Sequence, residues 1–226
     1  KEAGFSITKW TGDGTSLSVS TPVNLGHGLS KAPKFSIVYP HSDSSNSGWW
    51  WYLGDYGDSQ ASRGRLNSQS GLAGYMDGQN ALRHNMVNEE VISLTGNFYD
   101  NNINHVYYAW HEVEGYSKFG VFTGNGDNMG PFVYCGFKPA LLWMQPITTS
   151  EHFTSFDVAR NAYNGNSNHI LYVGLANGDS GDGGNHDFFA SGFRITNRTG
   201  NRYNANGVKY MFAAWAESPY KYGTAK

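Results

Sequence analysis

The sequence predicts an all-β fold of two tandem antiparallel β-sandwich modules, jelly-roll-like, that arose by internal duplication. Three observations predict it. Aromatic residues make up 15% of the chain, with 15 Tyr, 13 Phe and 7 Trp, and aromatic and β-branched side chains suit a pleated, half-buried surface. Glycine (29 residues) and asparagine (22 residues) punctuate the chain at the short spacings at which sandwiches and barrels turn. Finally, the chain repeats itself. Ala109-Trp110-His111-Glu112 returns as Ala214-Trp215-Ala216-Glu217, and Thr11-Gly12-Asp13-Gly14 returns as Thr123-Gly124-Asn125-Gly126. The repeat divides the chain into modules at 1–115 and 116–226.

In the first module, Gly4 to Trp10 predicts a strand with Phe5, Ile7 and Lys9 on one face by the period of two. Thr11 to Gly14 turns the chain, because Gly and Asp tolerate the positive φ of tight turns. The loop Gly26 to Pro33 ends where Pro33 fixes φ, and Lys34 to Tyr39 is the strand it feeds. The second module answers with Cys135-Gly136-Phe137-Lys138-Pro139 and the strand Ala140 to Met144. Trp49 to Leu53 reads as a strand whose neighbouring indoles point to opposite faces, so at least one ring faces away from its own core. Gly54 to Asn88 has weak periodicity and is assigned no element.

Val91 to Leu94 and Asn104 to Trp110 close the first module. Phe188 to Ala190, Gly192 to Ile195 and Val208 to Trp215 close the second. Tyr99-Asp100-Asn101-Asn102 aligns with Tyr203-Asn204-Ala205-Asn206 as the turn before each closing strand. Only Glu151 to Tyr163 could hold a helical turn or two. Alternating apolar and polar residues argue for antiparallel sheets with one wet face, since parallel sheets show long buried runs and intervening helices.

Charge excludes several functions. Charged residues are 15% of the chain and the net charge is −2, so no basic field draws nucleic acid or an anionic membrane. No apolar run approaches the roughly 18 residues of a membrane span. Cys135 is alone, which rules out an internal disulfide. The start, Lys1-Glu2-Ala3-Gly4, reads as mid-protein, having neither Met nor a signal core.

Glu112 and Glu114 lie two apart at a strand end, as paired carboxylates do in some glycoside hydrolases. The second copy keeps Glu217 but has Pro219 near the other place, so the expectation is a module-ending element and no catalytic residue is assigned. The eight histidines lack zinc-site spacing. Asn177 to Asp187 carries Asp179, Asp182 and Asp187, hard oxygen ligands of the kind Ca²⁺ accepts, without the closing glutamate of an EF-hand. No other cofactor is implied. Asn197-Arg198-Thr199 satisfies the glycosylation sequon. Binding is the better prospect: Trp49, Trp50, Trp51, Tyr52, Tyr56 and Tyr75, among many amides and hydroxyls, supply the flat apolar faces and hydrogen bonds that hold sugar rings. The competing expectation is that most of these rings fill the core or a subunit interface.

The runs Glu112 to Gly126, Gly130 to Met144, Ser155 to Asn164 and Tyr210 to Tyr220 resemble a repeat module of unassigned activity. That module occurs in structural proteins of tailed bacteriophages, especially marine and cyanobacterial ones, often at the C-terminal end of tail or tail-fibre proteins. The first copy resembles it through Gly4 to Ile7, Gly26 to Lys34 and Ala109 to Val113. The resemblance implies a non-enzymatic virion structural protein that takes part in host-surface or glycan recognition. It also implies assembly in the host cytoplasm, a homotrimer, and other virion proteins and a host-cell glycan or receptor as partners. The unmatched stretch Gly54 to Asn88 is then a candidate contact surface. The alternatives are a purely structural head decoration or fibre protein and, among enzymes, a polysaccharide depolymerase.

Overall fold

A computed structural model of the chain describes residues 4–14, 23–41, 49–54, 62–66, 83–87, 89–95, 102–160, 169–173, 185–197 and 199–217. Its regular elements are all strands, paired antiparallel, and no helix occurs among the described residues. The chain forms two compact units, Lys1–Arg65 with Gly74–His111, and Leu66–Ala73 with Glu112–Lys226.

The first unit contains β1 (Phe5–Thr11), β2 (Val23–Gly26), β3 (Phe35–Pro40), β4 (Trp50–Leu53), β5 (Ser62–Arg65), β6 (Arg83–Val87), β7 (Val91–Thr95) and β8 (Asn104–Trp110). They make a five-stranded sheet, β1-β8-β3-β4-β5, and a three-stranded sheet, β2-β7-β6. The second unit contains β9 (Ser117–Thr123), β10 (Val133–Tyr134), β11 (Pro139–Pro146), β12 (Thr154–Asp157), β13 (Leu171–Tyr172), β14 (Asn185–Phe189), β15 (Gly192–Thr196) and β16 (Lys209–Ala216). Its sheets run β9-β16-β11-β12-β13 and β10-β15-β14. Adding eight to each strand number of the first unit reproduces the second, so the repeated words of the sequence correspond to a repeated topology.

Each unit is sandwich-like because one face of its large sheet buries against its small sheet. In the first unit, Trp10, Val38, Trp50, Tyr52, Tyr107 and Ala109 from the five-stranded sheet cluster with Ile92 of β7. In the second, Phe122, Leu142, Met144, Phe156 and Phe212 meet Val133, Phe188, Phe193 and Ile195. The Phe193 ring centre lies 5.4 Å from Phe212 and 5.9 Å from Phe122, edge to face. Burying each such side chain contributes about 1.5–3 kcal/mol.

The turns repeat as well. Gly12 N donates to Ile103 O (2.8 Å) and Asn102 N to Gly12 O (2.9 Å); Gly124 N donates to Val208 O (2.8 Å) and Gly207 N to Gly124 O (3.0 Å). Asn102 therefore corresponds to Gly207, one residue beyond the Asn206 that the sequence words align with it. The reason is backbone geometry: Asn102 and Gly207 hold positive φ, 65° and 76°, which Asn and Gly tolerate best. The helical turn expected within Glu151 to Tyr163 is also corrected over its described part. Thr154–Asp157 forms β12, pairs with Leu141 to Met144, and sends Phe156 into the core. Pairing with β11 satisfies backbone groups that a helix would have bonded internally.

Candidate functional site

The register of the first unit's large sheet sorts its aromatic residues into two faces. Cross-strand partners share a face, so Phe5, Trp110, Phe35 and Leu53 form one row of the outer face, and Ile7, Tyr108, Ile37, Trp51 and Gly64 form the next. Tyr39 follows Ile37 on the same side, and the Trp49 indole stacks on it at 4.3 Å and 15°. Trp49 lies 6.2 Å from Tyr108, and Phe5 stacks on Trp110 at 4.8 Å. Phe5 and Ile7 are exposed, while Tyr39, Trp49, Tyr108 and Trp110 are half-buried. The result is a continuous wall of flat apolar rings with solvent access along part of its length.

The rings singled out from the sequence separate accordingly. Trp50 and Tyr52 point inward and belong to the core. Trp51 lies on the outer face yet is fully buried, its indole lying over Gly64, where an added Cβ would come within 2.6 Å of Nε1. Trp49 is half-buried and is the one of the four described rings with open surface. Tyr56 and Tyr75 lie outside the described residues.

Glu112 has a structural setting. Its Oε1 accepts from Phe119 N at 3.1 Å and its Oε2 from Lys118 Nζ at 3.0 Å, while Val113 N donates to Ser117 Oγ at 3.0 Å. These bonds, with Gly115 at φ 77°, close the turn that leads into β9. Glu114 is exposed. Near Glu112, the Cys135 thiol is buried and pushed up to about 12, by burial first, with Lys118 and Glu112 pulling in opposite directions. A thiol so protonated is a poor nucleophile at neutral pH.

A second polar cluster sits beside β13. Arg202 Nε pairs with Glu151 Oε2 at 3.0 Å and its Nη1 donates to Tyr172 OH at 2.6 Å. Burial, then the Arg202 charge, hold the neighbouring His152 imidazole below its ordinary range. Among the described residues, no three His, Cys, Asp or Glu side chains gather as a metal ion requires. Asp187 stands on the outer face of the second unit's small sheet, paired in register with Arg194; Asp179 and Asp182 lie outside the described residues.

Another set of rings lies outside the residues that the sequence pattern singles out. Phe132 and Tyr134 flank Val133, and all but Val133 of these are exposed, as are Met129 and Phe189. The signal was present: Gly130-Pro131-Phe132-Val133-Tyr134-Cys135 is apolar on both faces of a strand, and a sheet that packs on one side leaves the other outward.

No curated protein and no solved structure matches the chain. A family does match, over residues 1–219, nearly the whole length of both units. The chain belongs to that family, described as a domain of unknown function, DUF7483.

Proposed function

We propose that the chain is a non-enzymatic virion component of the tail or tail-fibre type that recognises a glycan or receptor on the host-cell surface. The observation that carries this reading is the stacked wall of Trp49, Tyr39 and Tyr108, open on one side. Rings already fixed against one another lose little conformational freedom on binding, and the flat apolar face of a sugar packs on them while amides and hydroxyls bond its edge. Single ring contacts are weak. In a homotrimer, three copies facing one cell would raise overall avidity by orders of magnitude. The wholly structural alternative, a head decoration or fibre protein, draws on the burial of Trp50, Trp51 and Tyr52. The engagement of both Glu112 carboxylate oxygens in the turn before β9 argues against a depolymerase built on that residue.

Adsorption of the purified chain to host cells tests the proposal. Trp49→Ala is expected to weaken adsorption roughly tenfold, as loss of an aromatic anchor does, while the chain still melts in one cooperative transition. Full adsorption by a folded Trp49→Ala protein would refute it. New reducing ends from host polysaccharide that vanish in Glu112→Gln would replace it with the enzymatic reading.

A further inference from the structure

We propose that the outer face of the second unit's three-stranded sheet is a separate saccharide-binding platform, built by Phe132, Tyr134 and Phe189 around Gly192 and flanked by Arg194 and Asp187, for an uncharged pyranose. Register places Tyr134 and Phe189 on either side of Gly192, with Asp187 opposite Arg194 on the same face. Gly192 is required at the centre. A Cβ there would come within 2.0 Å of Val133 O and 2.9 Å of Phe132 Cζ, so the Phe132 ring lies directly over the glycine. Phe132 meets Phe189 edge to face at 5.7 Å, and the Arg194 guanidinium lies 5.7 Å over the Phe189 ring.

The platform is held rigid from below. Asn204 is fully buried, donates to Asn125 Oδ1 and Asp127 O (both 2.8 Å), and accepts from Asn125 N at 3.1 Å. Gly130 N adds a bond to Ile195 O at 3.0 Å. Together these fix the loop that runs from β9 to Phe132.

The other unit shows that the fold does not need these rings. Matching the registers of β2-β7 and β10-β15 puts Asn24, Gly26, Val91 and Ser93 where the second unit has Phe132, Tyr134, Gly192 and Arg194. The same topology thus forms with no ring on that face at these positions. The second unit instead exposes Tyr134 at 67%, Met129 at 58%, Phe132 at 43% and Phe189 at 37%.

The chemistry around the rings selects the ligand. Arg194 Nε is buried without a hydrogen-bond partner among the described residues, and the guanidinium rests on a ring instead of an ion pair. Arg194 and Asp187 offer one cation and one anion, donor and acceptor for neighbouring hydroxyls, and their charges cancel. An acidic sugar would meet the Asp187 carboxylate. A protein partner would have to desolvate both charged groups, and Met129, Phe132, Tyr134 and Phe189 together expose about 400 Å² of mostly apolar surface, roughly half of what each partner of a stable dimer buries. A pyranose, with an apolar face and a hydroxyl edge, satisfies rings and charges together.

The inference shares its ligand class with the function proposed above but stands on different residues, so the two fail separately. The purified chain is titrated with cellohexaose, maltohexaose and a β-1,4-galactan hexamer, and with a galacturonate hexamer, by calorimetry and by saturation-transfer NMR. At least one neutral oligomer is expected to bind and the galacturonate hexamer not to. Tyr134→Ala and Phe189→Ala should each weaken binding roughly tenfold, while Lys138→Ala leaves it unchanged. Tyr134 is largely exposed, so its truncation leaves the fold intact, and a thermal melt verifies this. Absence of binding by every neutral oligomer overturns the inference. So does binding that survives Tyr134→Ala, or a concentration-dependent dimer in sedimentation that Tyr134→Ala abolishes while no sugar binds.

Discussion

The two units share one topology but place their bulk differently along one row of the outer faces of their large sheets. Across the first unit, one row reads Ile7, Tyr108, Ile37, Trp51, Gly64. The matching row of the second reads Phe119, Ala213, Trp143, Ser155, Leu171. Large and small exchange at three of the five columns, Tyr108 with Ala213, Trp51 with Ser155 and Gly64 with Leu171. Trp51 over Gly64 becomes Ser155 beside Leu171, and Tyr108 beside Ile37 becomes Ala213 beside Trp143. Along this row the hydrogen-bonded register is kept while the position of the bulk has moved. Bulk lost at one position of this row returns at its neighbour, as expected of close-packed surfaces that tolerate volume exchange better than volume loss.

Exchange between the units gives the largest predicted effect. Replacing Trp51 by the second unit's residue, Trp51→Ser, removes a fully buried indole and leaves a cavity over Gly64. The expected destabilisation is about 3–5 kcal/mol, read by urea unfolding. Adding Gly64→Leu to that variant recreates the second unit's pair and should recover about 1–3 kcal/mol. Gly64→Leu in the presence of Trp51 should instead destabilise, because the indole already occupies that space. If the double variant recovers nothing, the exchange is not a packing compensation.

The small sheets differ more sharply, and Gly192→Ala tests that difference. The new Cβ would meet the backbone oxygen Val133 O at 2.0 Å, so β10 must shift away from β15. The expected cost is about 1–3 kcal/mol, with displacement of the Phe132 ring. Val91, at the matching place in the first unit, already carries a side chain. Val91→Ala should therefore cost less than Gly192→Ala in the same urea assay, and a larger cost would mean that the two positions are not equivalent.

These contrasts explain which features were legible in the sequence. The repeated words and the period of two identified the strands β1, β3, β8, β11 and β16, and glycine marked the turns at Gly12 and Gly124. The pairing of Trp51 with Gly64 was not legible, because register between β4 and β5 is set by contacts between distant residues, and the run Trp49 to Tyr52 gives only alternation. Alternation predicted that one ring would turn from the core, and Trp51 does; it could not tell that Trp51 would be buried on that side too. The one-residue slip at Asn102 and Gly207 arose because amide-rich turns look alike in sequence, whereas positive φ is fixed by the backbone. Phe132 and Tyr134 escaped notice because both faces of β10 are apolar, and only the three-dimensional packing shows which of them is inside.

Tyr210 offers a smaller effect that titration can follow. It is fully buried, its OH accepts from Ala205 N and donates to Asn201 O (both 2.8 Å), and burial pushes its pKa up to about 12. In the unfolded chain the phenol ionises near 10. The folded state disfavours the phenolate, so stability is intact below pH 10 and falls as pH rises from about 10 toward 12. The matching residue of the first unit is His105, which has no phenol to lose. Tyr210→Phe should cost about 1–3 kcal/mol at neutral pH from the two lost hydrogen bonds, and should flatten the alkaline decline in unfolding free energy. A decline of unchanged slope would assign the effect to other tyrosines.

The smallest effect compares Cys135 with its counterpart His27. The correspondence follows from the backbone: Cys135 N donates to Ser191 O (2.8 Å) and His27 N to Glu90 O (3.4 Å), each just before a glycine of positive φ. His27 uses its ring locally, accepting from Leu29 N at Nδ1 (3.1 Å), so a polar side chain suits its buried place. Among the described residues, the Cys135 thiol makes a weak contact from Sγ to Val133 O at 3.9 Å and otherwise packs as a small apolar group. Cys135→Ala is therefore expected to cost about 1 kcal/mol or less, the worth of a small buried group. Burial also keeps the thiol protonated and shielded, so a disulfide reagent at pH 8 should react with the folded chain far more slowly than with the urea-unfolded chain. Equal rates in both states would show that the segment from β10 to Cys135 opens freely from the sheet, and the rigidity of the Phe132 and Tyr134 platform would fall with it.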